Sequence, residues 1–134
     1  KMILFVSGML LTGIIIFLIV PIEYPRNLYP NTNALIVWFR TTDGAGNCFP
    51  SLHVAMTLFL AAGYGAIEKS SIRRILMWFW AGGIILSVLT TKQHYLIDIV
   101  GGVILAIPFM IFARPILLGG RAESIRALRA LADP

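Results

Sequence analysis

The chain has 134 residues, of which 58% are hydrophobic and only 13% are charged, and its mean hydropathy is +0.86. Because soluble domains carry about a quarter charged residues, this composition excludes an ordinary soluble protein and indicates one integral membrane domain, residues 1–134. The first residue is Lys1 rather than an initiator methionine, so we expect that upstream sequence has been removed.

Four stretches are apolar and long enough to cross a bilayer as helices, since a span takes roughly 17 to 25 mostly apolar residues. They are about residues 2–20, 49–67, 75–91 and 95–117. No stretch has the alternating pattern of barrel strands. The first could be a secretory signal peptide, but its apolar core is longer than usual and no small-residue cleavage site follows it. The sequence therefore predicts an all-α, polytopic transmembrane helix bundle with four spanning helices.

The positions of Lys and Arg predict the orientation of these spans, because positive residues in short loops stay on the cytoplasmic side. Most of the 11 such residues fall on one face of the bundle: Lys1, Lys69, Arg73, Arg74, Arg114, Arg121, Arg126 and Arg129. We therefore expect both termini to be cytoplasmic, in the plasma or inner membrane, and the loop at 21–48 and the turn at 92–94 to face outward. The net charge of +5 then reflects topology and contact with anionic lipid headgroups, and it gives no reason to expect a nucleic-acid partner.

The connecting segments carry turn and surface signals. Residues 34–39 are apolar but too short to span, so an interfacial helix is expected there. Pro50, with Ser51 beside it, is expected to be the first residue of the second helix. A pair of glycines at 119–120 is expected to break the fourth helix, before an amphipathic cytoplasmic tail at residues 119–134.

The chain has two histidines, His53 and His94, and each lies where an apolar run meets a polar loop. The predicted topology places both on the outer side of the bilayer. Asp98 lies four residues after His94, so both side chains face the same way on a helix. The carboxylate can then accept a hydrogen bond from one imidazole nitrogen while the other faces a substrate. Ionisable groups in membrane segments are functional candidates by default; the alternative is a structural His–Asp pair that joins two helices.

An anion site is predicted beside His53. Ser51 and the backbone amides of the first helical turn form such a site, because a helix N-terminus carries partial positive charge. Lys92 would add a cation two residues before His94, and the alternative for this lysine is an interfacial anchor. Cys48 is the single cysteine, which excludes an intramolecular disulfide and a cysteine metal cluster. The loop around Cys48 supplies no base that could activate the thiol as a nucleophile.

Two short stretches resemble the motifs of a known family. Phe49-Pro50-Ser51-Leu52-His53 and His94-Tyr95-Leu96-Ile97-Asp98 are similar to the second and third motifs of the type-2 phosphatidic acid phosphatase superfamily. Leu52 and the pair His94-Tyr95 are more similar to the branch of the family that includes inositol phosphorylceramide and sphingomyelin synthases. The resemblance covers about residues 20–110. The family fold has six helices, which implies that this chain is its C-terminal part.

The chain departs from the family pattern at three places. Leu52 replaces the glycine of the second motif, and Val88 replaces the arginine that follows Ser87 in the third. The first motif is not recognisable, and Arg26 lies in roughly its region. A phosphate-binding arginine is therefore missing, and Lys92 or Arg26 must compensate for it.

The resemblance implies a two-step phosphoryl transfer through a phosphohistidine, on a lipid phosphate or phospholipid at the extracytoplasmic face. His94 would attack the phosphorus, Asp98 would hold its imidazole, and His53 would protonate the leaving alcohol and then activate water or a second alcohol. The phosphate would be bound by Ser51, Lys92, Arg26 and the position of Leu52. In this mechanism no metal or other cofactor is needed if the cations and amides suffice, and the sequence gives no reason to infer an obligate protein partner.

Two other classes of function stay open. A metal-dependent membrane hydrolase could bind zinc through the two histidines and the aspartate, with water as the nucleophile. A non-catalytic lipid-binding or scaffold protein could keep the fold while having lost turnover with the change to Val88.

Overall fold

The computed structural model describes residues 2–22, 32–42, 48–91 and 94–132, and for residues 39, 40, 42 and 121–132 it describes the backbone alone. Its helices are α1 (Met2–Ile19), α2 (Ala34–Thr42), α3 (Leu52–Ile67), α4 (Ser71–Thr90) and α5 (Leu96–Ala132). These ranges contain no strand. The all-α prediction is therefore confirmed for the part of the chain that the structure describes.

Among the described residues, three helices are long and apolar enough to cross a membrane: α1, α4 and the Leu96–Gly120 part of α5. The second predicted span, about residues 49–67, contains α3, an apolar helix of 16 residues. At 1.5 Å per residue this helix is about 24 Å long, shorter than the hydrocarbon core of about 30 Å. The three long helices fit an integral membrane protein, whereas a fourth crossing by α3 stays a prediction.

Ser51, rather than Pro50, sets the start of α3. Its backbone is extended, and its Oγ accepts a hydrogen bond of 3.5 Å from the Val54 N–H. This N-cap satisfies one of the backbone donors that have no partner in the first turn of a helix. Pro50 therefore lies before the N-cap, and the prediction that it is the first helical residue is wrong.

α3 is the central helix of the bundle. It packs most extensively against α5 and also against α4, while α1 contacts both α3 and α5. Gly13 of α1 lies against Leu52, and Gly63 of α3 lies against Met2, so α1 and α3 are antiparallel. The buried core between α1, α3 and α5 is formed by Met9, Ala55, Phe59, Leu105, Ala106 and Ala113.

The first turns of α3 and α5 lie side by side because α5 has glycines there. A Cβ atom on Gly102 would lie 2.5 Å from the backbone carbonyl oxygen of Ser51, and one on Gly101 would lie 2.5 Å from the Phe49 ring. A backbone atom cannot move aside as the tip of a side chain can, so the approach requires glycine at 102. The approach allows the Ser51 N–H to donate to the Asp98 carbonyl oxygen at 2.9 Å. Both helices therefore begin at the same end of the bundle.

α2 forms where the sequence predicts a short helix. It covers the apolar segment 34–39 and extends to Thr42. The Leu35 N–H donates to the side chain of Asn33 at 3.0 Å, a local cap of the kind that starts helices. The helix is confirmed, and its position at the membrane interface stays a prediction.

α5 continues past the two glycines at 119–120 and ends at Ala132, so the predicted break is wrong. A glycine costs only about 1 kcal/mol in a helix interior relative to alanine. The residues that follow, 121–132, are rich in alanine, leucine and arginine, which are strong helix formers. The location of the tail on the cytoplasmic surface stays a prediction.

Glu68 holds the turn between α3 and α4. Its carboxylate accepts hydrogen bonds from the Ser70 backbone N–H at 2.8 Å and from the Tyr64 hydroxyl at 2.7 Å, and it pairs with Arg73 at 2.9 Å. The Ser70 N–H, followed by the Tyr64 hydroxyl, stabilises the charged carboxylate and lowers the pKa of Glu68. Glu68 therefore compensates the charge of Arg73, one of the cations in the basic turn at residues 69–74.

Replacing Gly102 by alanine should destabilise the bundle, because the added methyl group would overlap the Ser51 carbonyl oxygen. We expect a loss of about 1–3 kcal/mol in the free energy of unfolding, as for other overpacking substitutions. Gly119→Ala is the matched control, because a Cβ atom there would meet no neighbouring atom within 4 Å. Denaturant unfolding in detergent measures both variants. A Gly102→Ala protein as stable as the wild type would contradict the close approach of the two helices.

Candidate active site

The structure brings the three predicted catalytic side chains together at one end of the bundle. His53 lies in the first turn of α3, Asp98 in the first turn of α5, and His94 two residues before α5. The centroids of the two imidazole rings are 6.1 Å apart, and the ring planes are inclined at 65°. At this separation one small ligand can contact both rings.

His94 is buried, with 5% of its surface exposed, and its Nδ1 atom already has a partner. Nδ1 lies 2.7 Å from the backbone carbonyl oxygen of Cys48. Since a carbonyl oxygen can only accept a hydrogen bond, Nδ1 carries the hydrogen and donates it. In the neutral ring, Nε2 therefore has the free lone pair that a nucleophile or a base requires.

Asp98 lies beside His94 but is not its main hydrogen-bond partner. Its Oδ2 is 3.4 Å from Nδ1, which is long for a hydrogen bond, and the same oxygen accepts the Tyr95 backbone N–H at 2.8 Å. Asp98 thus closes the first turn of α5 in the manner of a capping box. The orienting hydrogen bond predicted from Asp98 is made instead by the Cys48 carbonyl. Sequence reasoning missed this group because a backbone acceptor carries no residue-type signal.

The carboxylate of Asp98 is completely buried. Its side chain is 0% exposed, and its Oδ1 has no hydrogen-bond donor within the described ranges. Burying a carboxylate with an unsatisfied oxygen is costly, and a nearby positive charge reduces that cost. Asp98 therefore places a buried carboxylate directly beside the His94 ring.

The first turn of α3 offers backbone donors beside His53, whose side chain is exposed. Ser51 is fully buried and its oxygen serves the helix cap, while its hydroxyl hydrogen can still be donated. The Leu52 side chain packs against Gly13 of α1 and the core. That position can therefore offer a ligand only its backbone N–H. The free amides of a helix N-terminus are suited to an anion.

Two of the predicted phosphate-binding residues, Arg26 and Lys92, lie outside the described residues, so their roles stay predictions. Val88 lies near the end of α4 and is 3% exposed, so an apolar, buried side chain stands where the motif has an arginine. In the part of the chain that the structure describes, no group of three or more His, Cys, Asp or Glu residues is placed to hold a metal ion. The metal-dependent alternative therefore has no ligand set there.

A comparison with known protein families matches residues 1–112 to the PAP2 superfamily. The matched segment, 112 of the 134 residues, contains both histidines and Asp98. Comparison with curated proteins gave no match, and comparison with solved structures also gave none.

The contact with Cys48 predicts the tautomer of His94. Heteronuclear NMR of protein labelled in its histidine nitrogens should show, for the neutral His94 ring, a hydrogen on Nδ1 and none on Nε2. Asp98→Asn should leave this tautomer unchanged, because the Cys48 carbonyl remains. The exposed His53 ring provides an internal reference in the same spectrum. A neutral His94 ring with its hydrogen on Nε2 would contradict the geometry.

Proposed function

The chain belongs to the PAP2 superfamily, and we propose on that premise that it is a membrane lipid-phosphate phosphatase or phosphotransferase that acts through a phosphohistidine on His94. Membership of the superfamily supports an enzyme of phosphoric esters, and the long apolar helices fit a lipid substrate. One observation carries the proposed mechanism, the 2.7 Å contact between Nδ1 of His94 and the Cys48 carbonyl oxygen. It leaves Nε2 as the nucleophilic atom of a ring that lies 6.1 Å from that of His53.

In the first step, Nε2 of His94 attacks the phosphorus in line with the leaving alcohol. The N–P bond forms as the P–O bond breaks, and protonated His53 gives its proton to the departing oxygen. The His94 ring becomes cationic as it bonds to phosphorus. The Asp98 carboxylate, 3.4 Å from Nδ1, offsets that charge.

In the second step, water or an alcohol displaces His94 from the phosphorus. Neutral His53 accepts the proton of the attacking hydroxyl, a new P–O bond forms, and the N–P bond breaks to restore the neutral His94 ring. Water as acceptor gives a phosphatase, and a lipid alcohol gives a phosphotransferase. Both steps require neutralisation of the equatorial phosphate oxygens. For this role we propose the first-turn amides of α3 together with Ser51, Lys92 and Arg26.

The buried Val88 bears on the choice of substrate. A phosphate monoester carries about −1.5 to −2 charges at neutral pH, whereas a phosphodiester carries a single negative charge. A helix N-terminus supplies only about half a positive charge and Val88 supplies none, so Lys92 and Arg26 alone would have to neutralise the rest without the arginine of the third motif. We therefore propose that phosphodiester lipids are better donors than monoesters. Such donors fit the synthase branch that Leu52 and the His-Tyr pair resemble.

We propose that the site faces away from the cytoplasm. Ser51 and His53 lie at the N-terminal end of α3, whereas the basic turn at residues 69–74 follows its C-terminal end. The site and the basic turn are therefore at opposite ends of this helix. The positive-inside rule assigns the basic end to the cytoplasm, which leaves the two histidines at the outer face.

A second candidate function is lipid binding without catalysis, on the same fold. The observation in its favour is again Val88, 3% exposed, which removes a phosphate-binding cation from the third motif. Such a protein would bind a lipid phosphate at the two histidines and release no product.

Replacing the proposed nucleophile should abolish the covalent intermediate. With radiolabelled lipid and rapid quenching in alkali, where a phosphoramidate bond survives, His94→Ala should trap no phosphate. His53→Ala should slow both formation and breakdown of the intermediate by about 10²- to 10⁴-fold, as expected for the loss of a general acid and base. Wild-type turnover by the His94→Ala protein would rule out the phosphohistidine.

Cys48→Ala is the matched control, because it removes the thiol but keeps the backbone carbonyl that holds His94. Its turnover should stay within about threefold of the wild-type value. A tenfold change would correspond to about 1.4 kcal/mol in the activation free energy, so the expected effect is smaller than that. Loss of turnover in a folded Cys48→Ala protein would indicate the thiol, and not His94, as the nucleophile.

A panel of lipid phosphomonoesters and phosphodiesters, assayed with and without an acceptor lipid alcohol, tests the substrate class. We expect transfer from diesters to exceed hydrolysis of monoesters, inhibition by vanadate, which mimics five-coordinate phosphorus, and no effect of a chelator. Inactivation by the chelator would favour the metal-dependent hydrolase. Lipid binding without product from any donor would favour the non-catalytic function, and faster hydrolysis of monoesters would contradict the diester preference.

A further inference from the structure

A cavity lies beside the C-terminal half of α3, away from the two histidines. Its volume is about 570 Å³, and residues of α3, α4 and α5 line it on one side while the other side is open. The walls are largely apolar and include Phe59, Trp78 and Leu117. Sites for small ligands usually have volumes of about 300–1,000 Å³. None of the proposed catalytic side chains lines this cavity, so it is a separate site.

Two arginines also line the cavity, Arg74 in the first turn of α4 and Arg114 in α5. Arg74 donates to the Ser71 hydroxyl at 3.4 Å, and neither arginine has a carboxylate partner among the described residues. Arg73, in contrast, pairs with Glu68 at 2.9 Å. The cavity therefore combines apolar walls with two guanidinium groups whose charge is not compensated by a described carboxylate.

We propose that this cavity binds an anionic phospholipid from the leaflet at this end of the bundle. The lipid phosphate contacts Arg74 and Arg114, because a guanidinium group binds phosphate oxygens through paired, charge-assisted hydrogen bonds. An acyl chain lies along the apolar wall that contains Phe59 and Trp78. The lipid would hold the N-terminal end of α4 and the part of α5 around Arg114 together, away from the two histidines.

The charges favour a lipid over a protein segment as the occupant. The tail at residues 121–134 carries three arginines and two acidic residues, so its net positive charge opposes binding beside two arginines. A second copy of the chain would bring the same basic end to the contact. The outer face of α4 next to the cavity is apolar and exposed, with Ile75 at 66% and Trp78 at 45%. A lipid can therefore enter the cavity directly from the bilayer.

Trp78 in the cavity wall provides the measurement. In the full chain carrying Trp38→Phe and Trp80→Phe, Trp78 is the remaining tryptophan. Its fluorescence is followed in phosphatidylcholine nanodiscs as brominated phosphatidylglycerol is added, and brominated phosphatidylcholine is the neutral comparison. We expect the anionic lipid to quench Trp78 at a lower mole fraction than the neutral lipid does.

The paired substitution Arg74→Gln with Arg114→Gln should raise the mole fraction of phosphatidylglycerol needed for half-quenching by about tenfold, because it removes charge-assisted hydrogen bonds to phosphate. Lys69→Gln with Arg73→Gln is the matched control, since it removes the same total charge through two residues that do not line the cavity. The control should shift half-quenching by less than about twofold, as expected for exposed charges.

Equal quenching by the two lipids would overturn the proposal, as would an equal shift in the control pair. Quenching that depends on protein concentration and not on the anionic lipid would also overturn it and would indicate a second copy as the occupant. If the protein with Arg74→Gln and Arg114→Gln fails to fold, Ala62→Leu is the second variant. It narrows the cavity and keeps both arginines. Undiminished quenching by phosphatidylglycerol in that variant would then overturn the proposal.

Discussion

The candidate site depends on one backbone contact between the first turns of α3 and α5. The Ser51 N–H donates to the Asp98 carbonyl oxygen at 2.9 Å, which fixes the position of one motif against the other across 47 residues of sequence. The contact forms because Gly102 has no side chain at the point where α5 meets the Ser51 backbone. Asp98 therefore takes part twice, through its backbone in joining the helices and through its carboxylate beside His94.

The two acceptors around Nδ1 of His94 have different tasks in the proposed reaction. The Cys48 carbonyl at 2.7 Å orients the neutral ring, and an intramolecular hydrogen bond contributes about 0.5–1.5 kcal/mol net. The Asp98 carboxylate at 3.4 Å acts mainly when the ring is cationic. At an effective dielectric constant of about 20, unit charges at that distance attract by about 5 kcal/mol before desolvation. Orientation therefore comes from the neutral acceptor, and charge stabilisation comes from the carboxylate.

The sequence predicted those parts of the fold that depend on hydrophobic length and on residue type. The three long apolar helices follow from composition alone, and the meeting of His53, His94 and Asp98 follows from the alternating directions predicted for successive helices. The role of the Cys48 carbonyl could not be predicted, because every residue has a carbonyl and only the path of the loop selects one. The same holds for Gly102, whose importance lies in a contact with a distant part of the chain.

Local signals were also misleading where a stronger local interaction was present. Pro50 is a good first helical residue, yet the side chain of Ser51 forms the cap and delays the helix by two positions. The glycines at 119–120 weaken a helix, but the helix formers on both sides carry α5 through them. Both errors concern competition between neighbouring residues, for which propensity gives only a weak preference.

The short length of α3 fits a lipid substrate better than a soluble one. Its 16 residues make a helix about 24 Å long, roughly 6 Å less than the hydrocarbon core of a typical bilayer. If its C-terminal end lies at the basic boundary, its first turn does not rise above the opposite boundary into bulk water. A lipid phosphate can then approach the first-turn amides and His53 while its acyl chains remain in the bilayer. At that depth less water would compete for the phosphate, so the partial charges of the helix N-terminus would act more strongly on it than in solvent.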